Sequence, residues 1–216
     1  GYCVLRDSWE PSSNYLLFDC GEIADGLHAE ALPSAAHGHA DALAVELCVQ
    51  GLPFVIDPGF YTYFGDLDWH RHFRQEEAHN TVRILGYRQA EYCGRLKWQK
   101  AKVPQLLEWA DRETAIRCAG QIEYEPGIRH QRDICYQKER FWVIRDRVET
   151  RGFRMPAETY LHFDPGVDIE VDADRNVILA RQGEIRLFIQ FFHPCEVQAF
   201  RGGDGPDRGW VCPGYG

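Results

Sequence analysis

Hydrophobic and polar residues alternate over many short stretches of this chain, with turn-forming residues between them. Residues 2–6 and 15–20 are two such stretches, joined by a polar segment rich in serine, proline and asparagine. Alternation with a period of two places one set of side chains in a core and the other in solvent, as in a half-buried β-strand. The pattern therefore predicts two paired strands at the start of the chain.

The same kind of pattern recurs after residue 103, with turn residues such as Glu125-Pro126-Gly127 between the apolar stretches. The strands predicted there cover residues 105–110, 114–124, 130–136, 141–148, 158–163, 168–171, 176–180, 185–192 and 197–201. Many short strands at this spacing are typical of an all-β sandwich or barrel. No linker divides the chain, so we expect a single domain over residues 1–216, cut from a longer protein because it opens on Gly1 and not on Met.

Between these regions, alternation over residues 37–49 predicts a strand whose one face is ionisable at its start and apolar afterwards. That face carries His37, His39, Asp41, Leu43, Val45, Leu47 and Val49. Gln50-Gly51 forms a predicted turn, and residues 53–56 return as a short strand that ends in Asp57. We expect the first residues of the long strand to leave the core and line a cleft.

Residues 61–77 are too polar and aromatic for a regular strand. Residues 66–75 predict one or two helical turns with Asp66 as the N-cap, and residues 81–85 resume an extended pattern. Residues 21–36 predict a loop, and the tail from residue 202 is rich in glycine and proline.

Charge and cysteine content narrow the classes of function. The net charge of −9 disfavours a nucleic acid or an anionic membrane as the general partner. Residues 66–100 are locally basic, with seven Lys or Arg against five Asp or Glu, which permits an anionic ligand. The eight cysteines form no CxxC pair, so a zinc ribbon is excluded and buried free thiols are expected for Cys48, Cys118 and Cys135. No apolar run predicts a membrane span or a signal peptide.

Three residues from separate predicted segments have the chemistry of a metal site. His39, Asp57 and His79 would supply two imidazoles and a carboxylate, a ligand set typical of catalytic zinc. The alternative is that each is a hydrogen-bonded polar residue at the end of a strand. Asp41 and Glu46 are competing carboxylates, and Glu46 lies on the opposite face of the predicted strand.

His37 shares the strand face of His39 and would project beside a metal ion. Imidazole suits proton transfer near neutral pH, so His37 is the candidate acid or base. A second ligand or a hydrogen bond to a carbonyl group is the alternative for His37. We expect His70 and His72 to face solvent, and His130 and Arg132 to form a buried structural pair.

Aromatic and basic residues surround these histidines. Trp69, Tyr61, Tyr63 and Phe73 could stack on a sugar ring or pack in the core, and Arg71, Arg74 and Arg83 could bind a carboxylate or a sulfate. P-loop, GxGxxG, GxSxG and HExxH motifs are absent, so nucleotide-binding, serine-hydrolase and zincin functions have no motif here.

Four ordered pieces of the sequence resemble the heparinase II/III-like family of polysaccharide lyases. They are HGHADALAVEL (37–47), GLPFVIDPGFYTY (51–63), WHRHFR (69–74) and AHNTV (78–82). The resemblance implies a large antiparallel β-sandwich of the supersandwich type, without the N-terminal α/α toroid of the family. It also implies a periplasmic or secreted location, and a toroid elsewhere in the same protein as the partner of this chain.

The resemblance further implies β-elimination on an acidic polysaccharide that contains uronic acid, either heparin- or heparan-like or alginate-like. His39, Asp57 and His79 match the family's positions for a divalent metal, with zinc favoured, and His37 matches a catalytic histidine. Trp69, Arg74 and Asn80 match positions beside the cleft and are expected to bind substrate. His72 departs from the family's pattern, and the missing toroid puts activity of this chain alone in question.

The leading hypothesis is thus a metal-assisted polysaccharide lyase whose β-sandwich portion is this chain. A non-catalytic carbohydrate-binding or structural sandwich that holds a structural ion is the alternative. A metal-dependent hydrolase is a third reading, and its products would have saturated sugar ends.

Overall fold

The computed structural model describes residues 1–23, 37–95, 97–203, 208–212 and 214. Much of the predicted loop over residues 21–36 and part of the tail after residue 202 lie outside these ranges. The predicted all-β fold is confirmed, because strands that pair antiparallel account for most of the regular structure.

Fifteen strands, one α-helix and one 3₁₀ turn are present among the described residues. In chain order they are β1 (Tyr2–Arg6), β2 (Tyr15–Asp19), β3 (Val45–Val49), β4 (Leu52–Val55), α1 (Leu67–His72), the 3₁₀ turn (Glu76–Ala78), β5 (Val82–Ile84), β6 (Glu91–Tyr92), β7 (Trp98–Gln99), β8 (Gln105–Asp111), β9 (Ala115–Glu125), β10 (Ile128–Gln137), β11 (Phe141–Thr150), β12 (Ala157–Thr159), β13 (Asp168–Asp172), β14 (Val177–Gln182) and β15 (Ile185–Gln190).

Two four-stranded sheets face each other across the main core. Their strand orders are β1-β2-β3-β4 and β11-β10-β9-β8. Apolar side chains from β1 to β3 pack against those of β9 and β10, for example Leu5 and Phe18 against Ile122 and Ile134, all of which are buried. The packing of sheet against sheet is the sandwich that the alternating pattern predicts.

Gly120 on β9 lies at a point of close contact with the other side of the sandwich. A Cβ atom there would lie 2.6 Å from Sγ of Cys20 and 2.8 Å from Cδ2 of Leu43. Real carbon atoms do not come so near, so only glycine fits at this point without displacing the first sheet.

Smaller sheets flank the sandwich. Strands β13, β14 and β15 form an antiparallel sheet that packs with β4 around Phe54, Val167 and Ala180. Strand β12 pairs with β5. The segment after β12 then runs antiparallel to the end of β4, through the bridge between Val55 and Phe163. These pairings place the ends of β4, β5 and β12 next to one another.

The predicted turns and helix agree with the structure. Gln50 and Gly51 both have positive φ angles, 50° and 83°, as the two central residues of a tight hairpin require. Asp66 caps α1 by accepting hydrogen bonds from the backbone amides of Asp68 and Trp69.

Two strand predictions were wrong, and one hairpin was missed. Residues 37–44 are irregular, so the ionisable residues do not share a strand face with Val45–Val49. Residues 197–201 form no strand. The short pair β6 and β7 was not predicted, because two-residue strands leave no period to detect.

The cysteines and the helix content complete the description. All eight cysteines are free thiols, and Cys48 and Cys118 are buried, as expected, whereas Cys135 is only partly buried. Among the described residues, no helix has both the length and the apolar character needed to cross a membrane.

Candidate active site

A short irregular segment leads into β3 and carries the first group of site residues. The backbone amide of Leu43 donates to the carbonyl of Asp19 at 2.8 Å, and that of Ala44 donates to the carbonyl of Asp41 at 2.9 Å. Leu43 has a φ of 62°, a left-handed conformation that costs energy for a residue with a branched side chain. This turn changes the direction of the chain before β3 begins, so His39 and Asp41 are not part of that strand.

The second group lies at the end of β4 and before β5. Asp57 accepts a hydrogen bond from the backbone amide of Gly59 at 2.8 Å through Oδ1. Its other oxygen, Oδ2, lies 2.7 Å from Nδ1 of His79, whose side chain is fully buried. Asp57 thereby fixes the orientation of the His79 ring.

His39 and His79 come together although forty residues of sequence separate them. Their ring centroids are 5.2 Å apart. Ligand atoms of His39, Asp41 and His79 all lie within 4.8 Å of one another. The structure therefore brings His39 and His79 together with Asp41, the carboxylate that the sequence left as a competitor, whereas Asp57 contacts this group through its hydrogen bond with His79.

The electrostatics of this cluster suit a cation. Burial and the neighbouring His79 lower the pKa of His39 to about 3, so its imidazole is neutral and can act as a ligand. Burial raises the pKa of Asp41 to about 7, which means that its negative charge is poorly stabilised without a positive partner. A bound cation would supply that partner.

One buried atom directly tests whether a metal fits. Nε2 of His79 is buried and has no hydrogen-bond partner among the described residues, whereas Nδ1 is taken by Asp57. A histidine that is oriented by a carboxylate through one nitrogen and is free at the other is the usual form of a zinc ligand. The donor set of two imidazoles with nearby carboxylates fits a divalent metal, with zinc favoured. Direct ligation by Asp57 stays a prediction, because its carboxylate is bound to His79 here.

His37 lies at the surface and contacts Tyr63. Its Nδ1 is 2.7 Å from the hydroxyl oxygen of Tyr63, and the two rings meet edge to face. A cavity of about 300 Å³ opens beside them and is lined by His37, Tyr63, Phe64 and Arg95. His37 is thus accessible to a ligand, and its role in proton transfer stays a prediction.

Of the residues predicted to bind substrate, Asn80 is buried and acts within the protein. Its side-chain amide donates to the carbonyl of Ile56 at 2.8 Å, and its Oδ1 accepts from the backbone amide of His162 at 2.6 Å. Asn80, the residue after His79, therefore connects the end of β4 with the segment after β12 through two hydrogen bonds. Its predicted contact with substrate stays a prediction.

Arg74 is also buried, with 0% of its surface exposed. Its guanidinium donates to the carbonyl of Gly38 twice, at 3.1 Å and 2.8 Å, and once to the carbonyl of Arg95. Arg74 therefore holds the backbone at Gly38, between His37 and His39. Its predicted contact with substrate stays a prediction.

Trp69 remains partly exposed at the end of an aromatic group. Its ring stacks on Phe73 with centroids 6.1 Å apart, and it meets Tyr61 and Trp210 at 5.9 Å and 5.2 Å. Such a group offers a flat apolar surface, which suits either sugar stacking or packing.

The expected solvent exposure of His70 was wrong. Its side chain is fully buried, and its Nδ1 is 2.8 Å from the hydroxyl of Tyr92, because α1 turns this position inward against Phe60. His130 and Arg132 form the predicted buried pair, bound together by Asp146 on β11.

Sequence reasoning missed two residues of the site. The sequence predicts Tyr63 only as a member of an aromatic cluster, and His162 is not among the predicted site residues. Nδ1 of His162 lies 3.2 Å from Oδ1 of Asn80, the residue after His79, and burial and the positive charge of His79 lower the pKa of His162 to about 4. No local pattern identifies His162, since β12 brings it in from the far end of the chain.

A second cleft of about 390 Å³ lies on the other side of α1 and includes His72. It is lined by Asp68, Arg71, His72, Gln75, Glu77, Arg83 and Arg208. Arg83, a predicted anion-binding residue, pairs with Glu77 at 2.9 Å and with Glu158 at 3.6 Å. Its charge is therefore balanced within the protein.

Comparison with known proteins places this geometry in context. The family model described as "Heparinase II/III-like, C-terminal" matches residues 1–216. A heparin-sulfate lyase of Bacteroides thetaiotaomicron is 28% identical over 149 residues, which is 68% of this chain and 19% of that protein.

Solved structures share the fold at lower identity. Heparinase III superposes with a TM-score of 0.65 and 23% identity over 85% of this chain and 26% of that one. Heparan sulfate lyase HepC from Pedobacter heparinus gives a TM-score of 0.72 and 15% identity over 91% of this chain and 28% of that one. The chain thus spans between about a fifth and a little over a quarter of the length of these proteins.

Proposed function

Because the chain belongs to the heparinase II/III-like family, whose C-terminal region matches residues 1–216, we propose that the intact protein is a lyase. It would cleave an acidic, uronate-containing polysaccharide by β-elimination. The single observation that carries this proposal is the position of His37. It is exposed at a cavity, hydrogen-bonded to Tyr63, and adjacent in sequence to a partly buried cluster that suits a cation.

The proposed reaction needs a base close to a carbon-bound proton. That proton leaves the carbon next to the uronate carboxylate, its electron pair forms a double bond to the neighbouring carbon, and the bond to the glycosidic oxygen breaks. In the tautomer that carries its hydrogen on Nδ1 and donates it to Tyr63, His37 has a lone pair on Nε2 that can take the proton. The hydrogen bond also fixes the direction in which Nε2 points.

The leaving glycosidic oxygen needs a proton in return. The hydroxyl of Tyr63, beside His37, is one candidate donor. A residue of the α/α toroid, which the family resemblance places elsewhere in the same protein, is the other. The proposal therefore includes such a toroid as a partner domain of this chain in the intact protein.

His39, Asp57 and His79 are the residues that would hold a divalent metal, with Asp41 close to them. Such an ion supplies positive charge that stabilises the negative charge developing on the uronate carboxylate. The chain's own contribution is to keep His39 neutral, to orient His79 through Asp57, and to hold His37 against Tyr63. Zinc is our proposed ion.

The test uses the full-length protein with heparin, heparan sulfate, alginate and an uncharged control polymer. Cleavage by β-elimination produces an unsaturated uronate that absorbs ultraviolet light. We expect absorbance to rise with at least one uronate polymer and not with the uncharged one. If all uronate polymers stay intact, or if the new ends are saturated as a hydrolase would leave them, the lyase proposal fails.

Two variants separate catalysis from a binding role. His37→Ala should abolish turnover and leave the fold intact, because the side chain is exposed. His193→Ala, the same change at another exposed histidine, is the matched control and should leave turnover unchanged. A non-catalytic carbohydrate-binding protein would show polymer binding without cleavage in all three forms. The periplasmic or secreted location that the resemblance implies belongs to the same proposal.

A further inference from the structure

The peptide between His37 and His39 is held by an unusual number of donors. The carbonyl oxygen of Gly38 accepts two hydrogen bonds from Arg74, through Nε at 3.1 Å and Nη2 at 2.8 Å, and one from Nε1 of Trp98 at 2.9 Å. A carbonyl oxygen has two lone pairs, so three donors saturate it. We refer to Arg74, Trp98 and the Gly38 carbonyl as the Gly38 clamp.

Arg74 also holds the chain on the far side of His39. Its own carbonyl accepts a hydrogen bond from the backbone amide of Ala40 at 2.9 Å. The guanidinium lies over the ring of Trp98, 5.1 Å from the ring centroid, and donates to the carbonyl of Arg95. One buried residue thus fixes the backbone both before and after His39.

The glycine leaves no freedom for the segment to shift. A Cβ atom on Gly38 would lie 2.1 Å from the carbonyl oxygen of Ile23, so the backbone of Ile23 packs directly against it. Ile23 and Trp98 belong to one buried apolar cluster. The clamp therefore holds Gly38 from one side while Ile23 blocks it from the other.

The fixed peptide separates the two imidazoles by function. His37 turns to Tyr63, where its ring centroid is 5.4 Å from that of the tyrosine, whereas His39 turns to His79 and to Phe60, at 5.2 Å and 5.6 Å. A rotation of the Gly38 peptide would move both rings at once. Displacements of about 1 Å near a reacting centre can cost about 100-fold in rate.

We propose that Arg74 is a positioning residue that, with Trp98, sets the directions of His37 and His39 through the Gly38 carbonyl. Its effect on turnover rests on the proposed lyase function, but its effect on the geometry of the two rings does not. Arginine suits this task because its planar fork places two donors on one acceptor and a third on another. Lysine has a single ammonium group and cannot reproduce this arrangement.

The first experiment measures geometry alone, in this chain without metal. Arg74→Lys is compared with the wild type by proton NMR, through the cross-peaks between the rings of His37 and Tyr63 and of His39 and Phe60. The stacked rings of Tyr136 and Trp142, 4.7 Å apart in the main core, provide an internal reference. Arg145→Lys, on the exposed pair with Asp133, is the matched control.

We expect Arg74→Lys to lose both histidine cross-peaks while the Tyr136–Trp142 cross-peak keeps its intensity. Arg145→Lys should keep all three. Wild-type intensities for both histidine pairs in a folded Arg74→Lys protein would overturn the proposal. If Arg74→Lys does not fold, Trp98→Phe takes its place, because it keeps the arginine and removes one of the three hydrogen bonds.

The second experiment measures turnover by the full-length protein. Arg74→Lys should lower kcat about 10- to 100-fold and change KM by less than about 2-fold, since the clamp acts on the reacting groups and not on binding. Trp98→Phe should cause a smaller loss in kcat. Because both side chains act through one carbonyl, the double variant should lose less than the product of the two single effects. Independent, multiplying effects would contradict the shared clamp.

The two experiments distinguish the two proposals. Loss of the histidine cross-peaks together with no cleavage by the wild type would refute the lyase function and keep the clamp. Cleavage by the wild type and by Arg74→Lys at equal kcat, with unchanged cross-peaks, would refute the clamp and keep the lyase function.

Discussion

Oδ2 of Asp57 lies 2.7 Å from Nδ1 of His79, so the ring nitrogen on the opposite side of His79 is the one left for a metal. Burial alone would lower the pKa of His79, but the hydrogen bond to Asp57 and its negative charge raise it above the ordinary value of 6.5. Burial would likewise raise the pKa of Asp57, whereas the contact with His79 holds it below 3.8. These opposite shifts favour an ion pair between the two residues.

This ion pair makes metal binding depend on pH. A metal that binds to Nε2 requires a neutral His79, so binding near neutral pH should release a proton, and affinity should weaken as the pH falls. Titration calorimetry of zinc in buffers with different ionisation enthalpies measures the protons released. We expect release in the wild type and less of it in Asp57→Asn, where the carboxylate no longer raises the pKa of His79. Equal release by both proteins would contradict the coupling.

The hydroxyl of Tyr63 is predicted to matter for rate and not for stability. Tyr63→Phe keeps the ring beside Phe60 but removes the hydrogen bond to Nδ1 of His37, so the imidazole loses its fixed tautomer and direction. We expect turnover by the full-length protein to fall about 10- to 100-fold with a nearly unchanged melting temperature. Tyr61→Phe, at the tyrosine beside Trp69, is the control and should keep wild-type turnover. A wild-type rate for Tyr63→Phe would remove Tyr63 from the proposed mechanism.

Asp146 is predicted to be the most important carboxylate for stability. It accepts hydrogen bonds from Arg132 at 2.8 Å and 3.0 Å, and Arg132 donates in turn to the carbonyls of Leu43 and Asn80 at 2.7 Å and 2.8 Å. Asp146→Asn would leave the buried guanidinium without its counter-charge and should cost about 3 to 5 kcal/mol in the free energy of unfolding, measured with urea. Asp133→Asn, which breaks the exposed pair with Arg145, should cost about 1 kcal/mol or less.

The same network predicts the acid limit of the fold. Burial would raise the pKa of Asp146, but the charge of Arg132 and the hydrogen bond from His130 lower it far below 3.8. A carboxyl group with a depressed pKa stabilises the fold above its unfolded value, and its contribution is lost as the pH falls below about 4. Asp146→Asn should therefore flatten the loss of stability below pH 4. If the free energy of unfolding of Asp146→Asn falls below pH 4 as steeply as that of the wild type, other groups cause the loss.

Local sequence patterns account for the parts of the structure that the sequence could predict. The pairing of β1 with β2, the Gln50-Gly51 turn and the Asp66 cap depend on residues that are close in sequence, so local patterns were sufficient. The histidines and Asp57 were identified because their chemistry and their order match a known motif. These features need no knowledge of tertiary contacts.

Residues 37–44 show where such reasoning fails. Their alternation predicts a strand, but the carbonyl of Leu43 is taken by Arg132, which lies 89 residues away, and Leu43 adopts a φ of 62°. A tertiary contact thus overrides a local pattern. The burial of Arg74 and His70 escaped prediction for the same reason, because their partners Gly38 and Tyr92 lie 36 and 22 residues away.

A last prediction connects the core to the site through Leu43. The Cβ atom of Gly120→Ala would lie 2.6 Å from Sγ of Cys20 and 2.8 Å from Cδ2 of Leu43, so the methyl group must displace one of them. We expect a loss of about 1 to 3 kcal/mol in the free energy of unfolding and, because Leu43 lies within the turn between Asp41 and Ala44, a weaker affinity for zinc. Cys20→Ala removes the nearer atom, so adding it to Gly120→Ala should cost less than it does in the wild type. If the two substitutions add independently in urea unfolding, the close approach of the sheets at Gly120 does not govern the position of Leu43.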